Sequence, residues 1–336
     1  MDLDRRTLMT SGLGLGVAAT SGALAQAPGG GTELKDLRGT PLPPETTEYV
    51  DLWPKGPAGL LKTELSEVVK TAPTPPRRRL VNGVIRPRLA VYRPQKPNGG
   101  ALLVIPGGGY TYISVDNEGH NVGRVFSAQG LTVFVLYYRL PAEGWAQASD
   151  VPLMDAQRAM RLIKARAKDF QIDPARVGVM GFSAGGHLCA SLATGYGAPV
   201  YAAVDAIDAQ DARPYLCAPI YAVISMKPGL THAGSRSNLI GANASEEITA
   251  RYSTENHVTP QTPPAFLLHA EDDGAVPVEN TLAFRAALKA AGVSVETHLY
   301  PKGGHGFGIL SPAMPWSDLF LHFARQQGLY SQTNAS

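Results

Sequence analysis

A serine, a pair of carboxylates and a histidine follow one another along this 336-residue chain in an order that can carry nucleophilic acyl transfer. Ser183 stands at the centre of Gly181-Phe182-Ser183-Ala184-Gly185, after the apolar run 177–180 and before the small, helix-compatible run 184–193. A serine hydroxyl acts as a nucleophile when a tight strand-to-helix turn exposes it, and glycines two residues either side let neighbouring chain pass close by. Upstream, Ile105-Pro106-Gly107-Gly108-Gly109-Tyr110 also follows an apolar run. Consecutive glycines can present backbone N–H groups to a developing oxyanion because no side chain blocks the approach. Gly108 and Gly109, with the Ala184 N–H, are therefore the expected oxyanion hole. Downstream come the adjacent carboxylates Asp272 and Asp273, one of which should orient the base, and then Lys302-Gly303-Gly304-His305-Gly306-Phe307. His305 would take the Ser183 proton and return it to the leaving alkoxide, so activity should rise with pH as imidazole loses its proton.

The other seven histidines fit that role less well. His120, His187 and His322 lie in helical patterns, His269 and His298 within strands, and His232 and His257 before the acid in chain order. His187 is the nearest in sequence to Ser183, but it points elsewhere on the following turn and reads as a packing residue.

Positioning these groups requires a scaffold, and the apolar pattern supplies one. Short continuous apolar runs at 101–105, 132–137, 177–180, 220–225, 265–269 and 295–300 read as strands buried on both faces. Runs at 48–52 and 89–92 suit an antiparallel edge. Between them, 151–170 carries Ala156, Met160, Ile163, Ala167 and Phe170 at helical spacing, and helices are also expected at 118–129, 184–194, 279–291 and 316–327. Alternating strands and helices imply a doubly wound, mainly parallel sheet with helices on both faces. Ligands in such sheets bind beyond the carboxyl ends of the strands, which is where the serine, glycine, acid and histidine segments all fall. The long polar segment 227–264 is expected on the same face, as a surface loop or as part of the leaving-group site with His232 and Ser235 as contacts. Tyr110, Tyr112, Trp145 and Trp316 also fall after strands or before a helix, where they could stack on a sugar or aromatic acyl group.

Taken together, these pieces resemble the bacterial acetylxylan and feruloyl esterases of the α/β-hydrolase superfamily. The likeness spans about residues 49–329 and rests on Pro106-Gly107-Gly108-Gly109-Tyr110, on 135–140 and 179–187, on Thr231-His232-Ala233-Gly234-Ser235, on Asp272-Asp273 through Asn280, and on Gly303-Gly304-His305-Gly306-Phe307. The resemblance implies a triad of Ser183, Asp273 and His305, with Asp273 preferred to Asp272 because the pattern D-x-x-V-P places the acid three residues before Val276. It also implies removal of acetyl or feruloyl groups from xylan-type carbohydrate without metal or organic cofactor. Lipases resembling the hormone-sensitive group carry His-Gly-Gly-Gly where this chain has Pro106 before its glycines, and no long apolar insertion offers a lid for long-chain lipid. A serine peptidase or lactonase on the same fold is the enzymatic alternative. A non-catalytic binding protein on a hydrolase scaffold is the alternative of another class; such descendants tend to lose a triad member, whereas this chain keeps all three.

Composition sets the outer limits. With 44% hydrophobic and 17% charged residues the chain can bury a large core without disulfides or metals, so Cys189 and Cys217 are expected as free, buried thiols. Thirty basic and 28 acidic side chains are interspersed, giving a net charge of +2 and no sustained field for nucleic acid or an anionic membrane. The run Arg77-Arg78-Arg79 reads as a solvated loop. Arg5-Arg6 ahead of the uncharged stretch 8–24 has the outline of a twin-arginine export signal. The expected organisation is thus a signal at 1–27, a flexible leader at 28–46 and a catalytic domain at 47–330, in a periplasmic or secreted enzyme. Its expected partner is a small-molecule or oligosaccharide ester, with no stable membrane association once the signal is removed.

Overall fold

The structure, a computed structural model, describes residues 34–59, 61, 64–72 and 78–331; the expected signal at 1–27 lies outside them. The continuous apolar runs at 101–105, 132–137, 177–180 and 265–269 become strands buried on both faces, whereas 295–300, expected to be buried likewise, is the part-exposed last strand of the sheet. β5 (Ala101–Ile105), β7 (Thr132–Tyr137) and β8 (Val177–Phe182) are buried along their whole length. Each fully buried Val, Leu, Ile or Phe contributes about 1.5–3 kcal/mol, which places such strands in the middle of a sheet covered on both sides. They are joined by β1 (Tyr49–Asp51), β4 (Arg88–Tyr92), β9 (Cys217–Ile220), β10 (Ala265–Ala270) and β11 (Val295–Tyr300) in the order β1-β4-β7-β5-β8-β9-β10-β11. β4 pairs antiparallel with β1 and β7, and the pairs from β7 to β11 are parallel. Leu103 of β5 lies between Phe134 and Val179, so the chain that leads to Ser183 leaves from the centre of the sheet.

Helices cover this sheet: α1 (Asn121–Ser127) after a π-helical turn at Asp116–His120, α2 (Val151–Ala165), α3 (Ala167–Phe170), α4 (Ser183–Gly195), α5 (Ala233–Ile240), α6 (Glu246–Arg251), α7 (Glu279–Ala290) and α8 (Ser317–Gln326). The apolar stripe of 151–170 is buried as expected, but the helix is interrupted at Arg166, where φ is −103° and ψ is 23°. Pro152 occupies the first turn of α2, where a missing N–H costs nothing. At the end of β7 the fully buried Arg139 pairs with the equally buried Asp155 of α2 at 2.7 Å, and Trp53 Nε1 donates to the same carboxylate at 2.7 Å.

Several expectations need correction. The strand expected at 220–225 is β9, Cys217–Ile220. Residues 221–225 are apolar and buried, but Tyr221 turns into the left-handed region at φ 35° and the chain then passes beneath the serine turn, Val223 donating its N–H to the Ser183 carbonyl at 3.1 Å. The segment 227–264 is no plain loop, since it holds α5 and α6, the latter capped by Ser245. Of the leader expected to be flexible, residues 34–46 pack on the domain: Leu42 is buried, its N–H donates to Leu34, and Arg124 Nε donates to the Pro43 carbonyl at 2.7 Å. Arg79 is not free in solvent either, for it starts β3 (Arg79–Asn82) and bridges Asp116 and Glu45. β3 forms an unexpected three-stranded antiparallel sheet with β2 (Val68–Thr71) and β6 (Ile113–Ser114). Cys189 and Cys217 are free and buried, and burial pushes the Cys217 thiol up to about 12.

Candidate active site

Ser183 closes β8 and opens α4 with its backbone at φ 53°, a left-handed conformation that costs a non-glycine residue about 1–3 kcal/mol. Its surroundings enforce the turn. A Cβ on Gly181 would meet the Gly185 carbonyl oxygen at 2.2 Å, and one on Gly185 would meet the Ile105 carbonyl oxygen at 2.3 Å. Neither position has room for a side chain, which is the physical content of the two glycines in the pentapeptide.

The loops after β10 and β11 bring Asp273 and His305 to this turn. His305 Nε2 lies 2.8 Å from Ser183 Oγ, and His305 Nδ1 lies 2.6 Å from Asp273 Oδ2. The Asp273 side chain is fully buried. Burial opposes its ionisation, but hydrogen bonds from His269 and His305 and from the Val276 N–H prevail and hold its carboxyl well below the usual carboxylate range. An ionised carboxylate only accepts, so Nδ1 of His305 carries the proton and Nε2 presents a lone pair to the serine hydroxyl. The neighbouring Asp272 has a different task. Its Oδ1 accepts the N–H groups of Gly303 and Gly304, each at 2.8 Å, and these bonds, Gly304 foremost, lower its carboxyl as well. Asp273 faces the imidazole, while Asp272 pins the loop that carries it.

The glycine loop sits against the serine turn with its carbonyls engaged elsewhere. The Gly108 carbonyl accepts from Thr111 and Tyr112, and the Gly109 carbonyl accepts from Asn238 Nδ2 at 2.8 Å. The N–H groups of Gly108 and Gly109 find no acceptor among the described residues, and that of Ala184 lies in the first turn of α4, where no intrahelical acceptor exists. These are the donors expected to receive an oxyanion. The Gly107 N–H is committed to Glu118 Oε2 at 2.9 Å.

Of the expected substrate contacts, three are core residues. Tyr110 is 1% exposed and its hydroxyl bonds His187 Nδ1 at 2.8 Å. Trp316 is fully buried, with Nε1 donating to the Gly308 carbonyl at 2.9 Å and its ring against Phe126 and Phe182. Trp145 is buried beneath the Arg139 guanidinium, 4.9 Å from its ring. Each apolar face had a core partner to pack on, and that won over the rim. Tyr112 remains exposed at 37%. His232 is half-buried beside Gly109; burial first, then the charge of His305, lowers its pKa, with Asp273 opposing. Its Nδ1 accepts the Ser235 N–H at 3.1 Å and so caps α5, leaving Nε2 as the protonated nitrogen; Ser235 itself is fully buried. His187 packs as expected, with Nε2 on the Tyr252 carbonyl and burial lowering its pKa to about 4.

Three polar residues of the site were not expected. His269, at the end of β10, donates Nε2–H toward Asp273 Oδ2 at 3.2 Å and the Val276 carbonyl at 3.0 Å, while Nδ1 meets Thr281 Oγ1 at 2.8 Å. Its position four residues before Asp273, at a strand's carboxyl end, was the available signal. Glu118 and Tyr221 are the others, joined by a 2.9 Å hydrogen bond across 103 residues of sequence; no local pattern announces such a pair.

A family model described as BD-FAE matches residues 89–288, more than half of the chain. The chain is 34% identical over 226 residues to an acetylxylan esterase of Xylanibacter ruminicola, covering 66% of this chain and 44% of that protein. It is 35% identical over 213 residues to endo-1,4-beta-xylanase B of Butyrivibrio fibrisolvens, covering 62% and 32% respectively. The chain thus spans less than half the length of these two relatives. Among solved structures, an acetyl ester-xyloside bifunctional hydrolase from Caldicellulosiruptor lactoaceticus superposes with a TM-score of 0.69 at 32% identity, covering 85% of this chain and 98% of that one.

Proposed function

The chain belongs to the BD-FAE family and has the α/β-hydrolase fold, and on that premise we propose that it is a serine carboxylic-ester hydrolase that removes acetyl or feruloyl groups from xylan-type oligo- or polysaccharides. The observation that carries this reading is the unbroken hydrogen-bond chain from Asp273 through His305 to Ser183. His305 removes the hydroxyl proton as Ser183 Oγ attacks the ester carbonyl, and Asp273 stabilises the imidazolium that results. The Gly108, Gly109 and Ala184 N–H groups receive the oxyanion. Collapse expels the alcohol, protonated by His305, and leaves an acyl-enzyme that water cleaves by the same steps in reverse. The acetylxylan esterase and xylanase relatives and the acetyl ester-xyloside hydrolase support an acetyl group on a xylan-type alcohol.

A panel of acetylated xylan, methyl ferulate, p-nitrophenyl butyrate and a peptide anilide, run with one enzyme preparation, tests the assignment. The expected result is release of acetate from the xylan or ferulate from its methyl ester at the highest kcat/KM. Preference for the anilide would replace the esterase by a peptidase.

Export by the twin-arginine route to the periplasm or medium belongs to the same proposal, supported by Arg5-Arg6 and the uncharged stretch that follows. The exported chain should begin near Gln26 or Pro28. Arg5→Lys with Arg6→Lys should retain it in the cytoplasm, and undiminished export of that variant would contradict the route. Among the described residues no helix is long and apolar enough to cross a membrane.

A further inference from the structure

Glu118 takes no part in the hydrogen-bond chain of the triad, yet its carboxylate joins the two loops that flank Ser183. It lies in the π-helical turn Asp116–His120 and is 4% exposed. Oε2 accepts the Gly107 N–H at 2.9 Å, and Oε1 accepts the Tyr221 hydroxyl at 2.9 Å. Gly107 immediately precedes the two glycines whose N–H groups face the serine turn, and it is pressed against that turn: a Cβ there would meet the Phe182 carbonyl oxygen at 2.4 Å and Ser183 Cβ at 2.9 Å. Tyr221, fully buried, stands edge-on to the His305 ring with centroids 5.1 Å apart, and its oxygen accepts the Gly308 N–H at 3.3 Å. One side chain therefore ties the peptide ahead of the oxyanion donors to the tyrosine that packs against the base.

We propose that Glu118 is a positioning residue for the ester hydrolysis inferred above, fixing the Gly107 peptide, and through it the Gly108 and Gly109 N–H directions, while holding Tyr221 against His305. The proposal rests on that reading of the reaction. Its chemistry is specific to a carboxylate. Both partners are donors, and a carboxylate offers an acceptor to each. An amide would set its NH2 group against one of them, and Tyr221 could answer only by turning its hydroxyl away, with its oxygen already accepting from Gly308. Burial raises the Glu118 carboxyl above its ordinary range, opposed by the Tyr221 and Gly107 hydrogen bonds and by the charge of His305. Donors that serve only the oxyanion act on the transition state alone, and misdirecting them lowers kcat and leaves KM in place.

Steady-state kinetics on p-nitrophenyl acetate with Glu118→Gln and Tyr221→Phe, singly and together, alongside thermal unfolding and a Ser183→Ala control, tests the proposal. Glu118→Gln should lower kcat by about 10–100-fold, with KM within about threefold of wild type and a melting temperature close to it. Tyr221→Phe should lose less, and the double variant should be no worse than Glu118→Gln, because both act through one bridge. A Glu118→Gln enzyme with kcat within about twofold of wild type, or one whose defect is entirely in KM, overturns the proposal while an inactive Ser183→Ala leaves the esterase reading standing. Should Glu118→Gln fail to fold, Tyr221→Phe decides alone: an unchanged kcat overturns the bridge. Full activity in Ser183→Ala would remove the underlying reaction.

Discussion

Ser183→Ala should lower kcat/KM on p-nitrophenyl acetate by at least about 10⁴-fold, with the fold intact. The substitution removes one oxygen and keeps the Cβ, so the serine turn retains the contacts that enforce φ 53°: the Gly181 and Gly185 approaches and the Val223 N–H on the Ser183 carbonyl. His305 loses a hydrogen-bond donor, but its side chain is 25% exposed and water can take the place of the hydroxyl. What survives is the turnover that the oxyanion donors support on their own. A variant within about tenfold of wild type would show that another group attacks the ester.

Asp273→Asn carries the second largest effect, a fall in kcat of about 10⁴-fold, against less than about tenfold for Asp272→Asn. The two residues are adjacent and both hold lowered carboxyls, so the contrast tests geometry. Asp273 Oδ2 faces His305 Nδ1 at 2.6 Å and His269 Nε2 at 3.2 Å, and Oδ1 accepts from Ala275 and Val276. An asparagine there forfeits the charge that stabilises the imidazolium and sets an amide NH2 among donors. Asp272 acts through Oδ1 on the Gly303 and Gly304 N–H groups, and an asparagine oxygen can still accept both. The reverse ranking, with Asp272→Asn the worse, would assign the acid to the wrong carboxylate.

The groups legible in the sequence are those whose job imposes a local pattern. Gly181 and Gly185 are readable because the chain that passes them leaves no space for a Cβ. β5 and β7 are readable because burial on both faces demands an unbroken apolar or β-branched run. β9 was displaced by the same logic, since 221–225 is as apolar as a strand but is buried as a loop beneath Ser183. Tyr110, Trp145 and Trp316 show the limit for side chains: an aromatic residue near a strand end can face the cleft or the core, and only the tertiary partner decides. His187 met Tyr110, Gly308 met Trp316, and Arg139 met Trp145. Glu118 and Tyr221 were invisible for a related reason, because their buried polar pair is defined by complementary partners supplied from distant segments.

The reaction itself is tested most directly by covalent capture of the nucleophile. A small fluorophosphonate should add a single adduct to the intact protein, and peptide mapping should place it on Ser183, within the segment 177–195. Prior occupation by an ester substrate should slow the labelling, and Ser183→Ala should remain unmodified under the same conditions. An adduct on any other residue, or equal labelling of wild type and Ser183→Ala, would contradict an acyl-enzyme formed at Ser183.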